Sequence, residues 1–311
     1  MHETVIVSGS ANKDLATKIA KYLNLDLGNI EISRFSDGEI FLRIQQNIRG
    51  RDVFLIQPTC PPTNENVMEL LVMLDAIRRA SPSRITAVIP YYGYARQDRK
   101  DKPRVPITAK LVANLIVAAG ADRVLTMDLH ADQIQGFFDI PLDHLYSAPV
   151  FIAHLKKMDL GDIVIVSPDV GGIKRARAFA QRLGAGLAIV DKRRVSPKDA
   201  EVMHLIGEVK DKTAIIVDDM VSTAGSLSEA SKILHDKGAK RILATAAHAV
   251  LCGPAMERLE NAPIELLITS DSIPMGDKSK NGKILVLTVA EHLGEAIRRI
   301  HDNESVSHLF I

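Results

Sequence analysis

The run Ile215-Ile216-Val217-Asp218-Asp219-Met220-Val221-Ser222-Thr223-Ala224-Gly225-Ser226 decides the fold. An apolar β-branched stretch ends in two carboxylates. A short loop of hydroxyls and a glycine follows, and a helical pattern begins near Ser226. A continuous apolar strand of this kind is buried on both faces, as in a parallel sheet covered by helices. Free N–H groups at a helix start can hold a phosphate, and Gly225 lets the backbone approach it. Asp218 and Asp219 cannot hold that anion, but they can accept hydrogen bonds from sugar hydroxyls. Strand, acids, cradle and helix together read as a sugar-phosphate site. The plainer alternative is a strand end with an Asp pair and a Ser helix cap.

The same alternation extends outward from this run. Strand-like segments are expected at 4–8, 53–57, 85–89, 124–128, 163–167, 187–191, 214–218, 242–247, 266–269 and 284–288. Helical patterns lie at 13–23, 64–79, 108–119, 150–157, 173–183, 226–237 and 290–300. The spacing predicts an α/β protein with parallel sheets. About ten strands suggest two sheets rather than one. The boundary is expected at Ser147-Ala148-Pro149, giving a domain over 1–146 and a second over 147–311. Packing of the C-terminal segment back on the first domain is left open. Residues 31–34 and 39–43 flank Ser36-Asp37-Gly38, which reads as an antiparallel hairpin projecting as a flap.

Composition narrows the class. The 311 residues carry 39 Lys and Arg against 38 Asp and Glu, a net charge of +1, which argues against a general nucleic-acid binder. Cys60 and Cys252 are far apart and in no metal-ligand spacing, so neither a disulfide scaffold nor a zinc module is expected. No apolar run reaches the roughly 20 residues of a membrane span. The first residues show no basic region followed by an apolar run, so a cytoplasmic protein is expected. No Walker-type Gly-x-x-x-x-Gly-Lys loop, dinucleotide fingerprint, His-Glu-x-x-His motif or nucleophile elbow is present.

In open α/β sheets, ligands sit at the carboxyl ends of strands. Five further segments follow strands or lie at the hairpin turn. Arg34-Phe35-Ser36-Asp37-Gly38-Glu39 is a polar turn carrying an aromatic ring. Pro90 to Lys100 opens a loop whose stretch from Arg96 to Arg104 has five basic and two acidic residues, a charge suited to phosphates. Residues 126–138 place His130 after a strand, and Ser167-Pro168-Asp169-Val170-Gly171-Gly172 places Asp169 before a helix carrying Lys174, Arg175 and Arg177. Asp191-Lys192-Arg193-Arg194 reads as a basic loop after a strand, suited to a lid over transferring phosphates.

These segments, in this order, resemble the ribose-phosphate pyrophosphokinase family, in its phosphate-regulated class. The resemblance extends from the first strand to Ser305-Val306-Ser307. It implies two doubly wound domains of the type I phosphoribosyltransferase fold. It also implies transfer of the β,γ-diphosphoryl group of Mg·ATP to the C1 hydroxyl of ribose 5-phosphate, with AMP leaving. Phe35, Asp37, Gly38, Glu39, Arg96, Gln97 and Arg99 are then expected at ATP. His130 and Asp169 are expected at Mg²⁺. Arg194, Asp218, Asp219, Ser222, Thr223, Ala224, Gly225 and Ser226 are expected at ribose 5-phosphate, and Lys192 and Arg194 as the transition-state cations. A homohexamer regulated by phosphate and ADP is implied, with Arg49, Ser81, Ser305 and Ser307 in regions of the regulatory site.

Two positions depart from the family pattern: Ser222 stands where Asp is usual, and Ser226 where Thr is usual. Asn47 stands where some members have Ser. A phosphoribosyltransferase would share the acid-pair cradle without needing the ATP loops. A non-catalytic regulatory subunit of the same fold is the other alternative.

Overall fold

The computed structural model describes residues 3–193 and 202–310. The chain divides into two compact units. Residues 1–146, 272–274 and 288–311 form the first, and 147–271 with 275–287 form the second.

The first unit contains β1 (Thr4–Ser8), α1 (Lys13–Tyr22), β2 (Ile30–Arg34), β3 (Ile40–Ile44), β4 (Asp52–Ile56), α2 (Thr63–Arg79), β5 (Arg84–Ile89), α3 (Thr108–Ala119), β6 (Arg123–Met127) and β7 (Leu142–Leu145). Five strands pair in parallel in the order β1-β4-β5-β6-β7. Alternate side chains point to opposite faces. Val53, Leu55, Ala87 and Ile89 meet Leu70 and Met73 of α2 and Val112 and Ile116 of α3 in one core. The intervening Phe54, Ile56 and Val88 are also buried, so both faces of the sheet are covered.

β2 and β3 form a separate antiparallel pair in which Arg34 faces Ile40. Ile30, Ile32, Leu42 and Ile44 pack against the first unit's core, while Glu31, Ser33, Phe41 and Arg43 are exposed. The two-residue period thus makes one face of the hairpin apolar and the other polar.

The second unit contains α4 (Ala148–Leu155), β8 (Ile163–Ser167), α5 (Ile173–Leu183), β9 (Gly186–Arg193), β10 (Val202–Ile206), β11 (Thr213–Val221), α6 (Gly225–Asp236), β12 (Arg241–Ala249), α7 (Ala255–Asn261), β13 (Leu266–Ser270) and β14 (Ile284–Leu287). The last helix, α8 (Ala290–His301), belongs to the first unit, where it packs on α1. The seven-stranded order is β10-β9-β8-β11-β12-β13-β14, parallel except for β9 with β10. Ile165, Ile215 and Val217 meet Phe151 of α4 and Phe179 of α5 on one face. Val164, Ile216 and Ala244 meet Leu227 and Leu234 of α6 and Leu259 of α7 on the other.

Strand order reverses at β8. The chain leaves β8 for β9 on one side and returns in β11 on the other. The carboxyl ends of β8 and β11 therefore flank a topological switch point, where a ligand crevice is expected. β7, β10 and α7 are not among the segments expected from the sequence. β7 and α7 are short, and Val202-Met203-His204-Leu205-Ile206 becomes a strand by pairing with β9.

Candidate active site

β11 is longer than the apolar run that announces it. Its last register partner on β8 is Val166, opposite Ile216, yet it continues along β12 with Asp218 opposite Ala246 and Met220 opposite His248. Asp218 and Asp219 therefore lie within the strand, in the part that has outrun β8, rather than beyond its end. The crossover into α5 returns a cation to this gap. Arg175 Nη1 lies 3.4 Å from Asp219 Oδ1 and 3.7 Å from Asp218 Oδ1. The Asp219 N–H also donates to Asp218 Oδ1 at 2.8 Å. Burial, with the neighbouring charge of Asp219 added to it, holds Asp218 well above the ordinary carboxylate range, and Arg175 only partly offsets this. Two adjacent carboxylates at a strand end are acceptors of the kind that suits vicinal hydroxyls.

The loop after β11 has the form of a phosphate cradle. α6 begins at Gly225, and Ala224 before it takes a left-handed backbone with φ +57°. The N-cap is Ala224 and not a serine, and among the described residues no side chain caps the helix, so its first N–H groups can meet an incoming acceptor. Ser222 Oγ sits 3.3 Å from Cys252 Sγ, and Thr223 is exposed. Gly225 has a reason to be glycine besides ligand approach: a Cβ there would stand 3.2 Å from Nη1 of Arg258.

At the end of β8, Ser167 Oγ donates to the Asp169 carbonyl at 2.7 Å. The Gly172 N–H donates to Asp169 Oδ1 at 2.9 Å. Asp169 is exposed, and Oδ2 is not part of this bond. A Cβ at Gly172 would come within 2.8 Å of Ser167 Oγ, so a side chain there would displace the hydroxyl that bonds the Asp169 carbonyl.

The basic segment differs from expectation. Lys192 lies in β9 itself, opposite Met203 of β10, and Arg193 faces Val202. It becomes strand rather than loop because β10 returns to pair with it. Arg194 lies outside the described residues.

In the first unit, the 35–39 turn closes on itself. Phe35 N–H donates to Glu39 O at 2.9 Å, Gly38 N–H to Phe35 O at 2.9 Å, and Glu39 N–H to Asp37 Oδ1 at 3.1 Å. Gly38 has φ +93°, which explains a glycine there. Phe35 is 55% exposed and contacts Phe41 edge to face at 5.6 Å. An aromatic this exposed, on a turn so well held, can offer a face to a planar ligand.

The loop after β5 is anchored at its base and exposed at Arg96 and Arg99. Tyr92 OH donates to Ala109 O at 2.9 Å, and Gly93 N–H to Thr59 Oγ1 at 2.6 Å. Ala109 N–H donates to Gln97 O at 3.1 Å. Arg96, Gln97 and Arg99 are exposed. After β6, Asp128 turns the chain with φ +40°, and the next peptide is fixed by Leu129 N–H donating to His144 Nε2 at 2.8 Å. His130 follows directly and is exposed.

The sequence reading gave Arg175 no role with the acid pair and overlooked Arg258. A signal for Arg175 existed: a cation in the first turn of a helix opposes the helix dipole, so a nearby acid is implied. Arg258 had none, because α7 was not foreseen.

The geometry can be compared with known proteins. The pattern for the N-terminal domain of ribose phosphate pyrophosphokinase matches residues 4–120. That for the phosphoribosyl synthetase-associated domain matches residues 190–311. The ribose-phosphate pyrophosphokinase of Gloeobacter violaceus is 56% identical over 306 residues, covering 98% of this chain and 92% of the relative. That of Rhodopirellula baltica is 55% identical over 313 residues, covering 100% and 99%. The crystal structure of phosphoribosylpyrophosphate synthetase from Mycobacterium smegmatis superimposes with a TM-score of 0.92 at 38% identity, over 97% of this chain and 99% of that one. With its type I phosphoribosyltransferase-like architecture and full-length likeness, this chain belongs to the ribose-phosphate pyrophosphokinase family.

Proposed function

We propose that this protein transfers the β,γ-diphosphoryl group of ATP to the C1 hydroxyl of ribose 5-phosphate, forming 5-phosphoribosyl 1-pyrophosphate and AMP. The observation that carries this reading is the uncapped start of α6 beside the Asp218–Asp219 pair at the switch point of the second sheet. Phosphate at residues 222–226 would leave the ring hydroxyls facing the two acids. In the first unit, exposed Phe35 suits adenine, while Arg96 and Arg99 suit the triphosphate.

The reaction needs the C1 oxygen aligned with the β-phosphorus and with the departing AMP oxygen, so catalysis is mostly positioning and charge stabilisation. Asp218 and Asp219 orient the sugar through its hydroxyls. The cradle fixes its phosphate end. Lys192 and Arg194 are assigned to the negative charge that shifts to the leaving phosphate.

His130 and Asp169 are assigned to magnesium. Among the described residues, no three His, Cys, Asp or Glu side chains group to hold a metal ion. Asp169 keeps Oδ2 outside its bond with Gly172, and a carboxylate oxygen is the donor Mg²⁺ takes together with waters and substrate phosphates. When bound, Mg²⁺ neutralises phosphate charge.

The family reading also carries a homohexamer, with phosphate and ADP as effectors, and a cytoplasmic location. Among the described residues, no helix is long and apolar enough to cross a membrane. Light scattering and an ADP titration test the assembly and its regulation. Incubation with Mg·ATP and ribose 5-phosphate tests the reaction. AMP formation that requires both substrates is the expected result. Folded protein that forms none would favour a phosphoribosyltransferase or a regulatory subunit.

A further inference from the structure

The loop at the start of α6 is fastened from one side. Leu251 N–H donates to Val221 O at 3.0 Å, and Cys252 N–H donates to Ser222 O at 2.9 Å. Arg258 Nη1, from α7, donates to Thr223 O at 3.1 Å. Three successive carbonyls are thus drawn toward one short stretch of chain. In a trans peptide the C=O of one residue and the N–H of the next point in opposite directions. Holding these carbonyls back therefore turns the N–H groups of the loop the other way.

Two of the three fasteners are backbone groups. The third is a side chain, and it acts where the backbone is least comfortable. Ala224, which follows the Thr223 carbonyl, has φ +57°, a left-handed conformation that disfavours any residue with a Cβ. Residues 222–226 contain no cation of their own. The guanidinium of Arg258 also lies close behind Gly225, where a Cβ would stand 3.2 Å from its Nη1.

We propose that Arg258 is a positioning residue for sugar-phosphate binding: it holds the Thr223 carbonyl back, so that the Thr223–Ala224 peptide presents its N–H to the phosphate, and sets a positive charge behind the loop. The proposal rests on the reading of residues 222–226 as the phosphate cradle. It names a specificity element for the anionic end of the sugar that lies outside the loop itself.

Steady-state kinetics of the full chain test it, with KM measured separately for ribose 5-phosphate and ATP. Ser226→Glu first tests the cradle. A carboxylate suits the first turn of a helix but repels a phosphate, so the sugar KM should rise at least tenfold while the ATP KM stays put. An unchanged sugar KM would overturn the cradle and the proposal together. Arg258→Met removes both donor and charge, and should raise the sugar KM about tenfold with the ATP KM within about twofold, the loss expected for one charge-assisted hydrogen bond. Arg258→Lys should recover most of that loss. If Ser226→Glu behaves as expected but Arg258→Met keeps the wild-type sugar KM, raises both KM values alike, or is not rescued by lysine, the role of Arg258 is refuted while the cradle stands. Should Arg258→Met not fold, Arg258→Gln is held to the same criteria.

Discussion

Arg175 Nη1 lies 3.4 Å from Asp219 Oδ1, joining the first turn of α5 to the part of β11 that extends past β8. The same guanidinium lies 3.7 Å from Asp218 Oδ1. Burial, with the charge of Asp219 added to it, leaves Asp218 protonated more readily in the folded chain than in the unfolded one. Below its ordinary value of 3.8 the group does not affect stability differently from a neutral side chain, and stability is lost as pH rises toward about 8. Asp218→Asn is accordingly expected to match wild type near pH 4 and to melt several degrees higher at pH 8, by calorimetry without ligand. It should also raise the KM for ribose 5-phosphate, since one acceptor for its hydroxyls is lost.

Ser222 tests the charge of the cradle. Ser222→Asp restores the residue usual in the family and places a carboxylate near Cys252. The KM for ribose 5-phosphate should shift more than that for ATP. Equal shifts in kinetic assays would show that position 222 does not address the sugar.

Phe35 tests the adenine face. At 55% exposure it contributes little to the core, so Phe35→Ala should leave the melting temperature within about 1 °C. The KM for ATP should rise about tenfold or more, the value of about 1–3 kcal/mol for base stacking. An unaffected ATP KM would free the hairpin of this role.

Lys192 tests the assignment of charge in the transition state. Lys192→Ala should lower kcat by about 10²–10³, with a much smaller change in the KM for ATP. Near-wild-type turnover would remove Lys192 from the mechanism.

Gly93 links packing to the ATP loop. A Cβ there would lie 2.4 Å from the Thr59 carbonyl, which is backbone and cannot swing aside. Gly93→Ala should cost about 1–3 kcal/mol in denaturant titrations. It should also raise the KM for ATP, because Arg96 and Gln97 follow from that turn. Wild-type stability would contradict the close approach.

Much of this fold was legible in the chain itself. The strand Ile163–Ser167 and the helices Thr108–Ala119 and Ile173–Leu183 lie where their patterns placed them, because strands buried on both faces and amphipathic helices write their period directly into the apolar positions. The hairpin was legible for a different reason: Gly38 supplies the positive φ that its turn needs. β10 was not legible, since it depends on β9 for its hydrogen bonds. For the same reason, the basic run at Lys192 carries no strand signal of its own.

The site divides along the same line. The order of strand, acids, hydroxyl loop and helix is local, so the sequence alone determined that residues 215–226 would run from an apolar strand through two carboxylates and a hydroxyl loop into a helix start. It also determined the residue types that the family chemistry requires. Only the tertiary structure decided that Arg175 would meet Asp219, that Arg258 would hold the Thr223 carbonyl, and that His144 would fix the peptide before His130. Each of these contacts joins elements paired by the order of strands or the packing of helices. No local period encodes such a partner, because a hydrogen bond between distant segments depends on where the sheet brings them and not on the spacing between them.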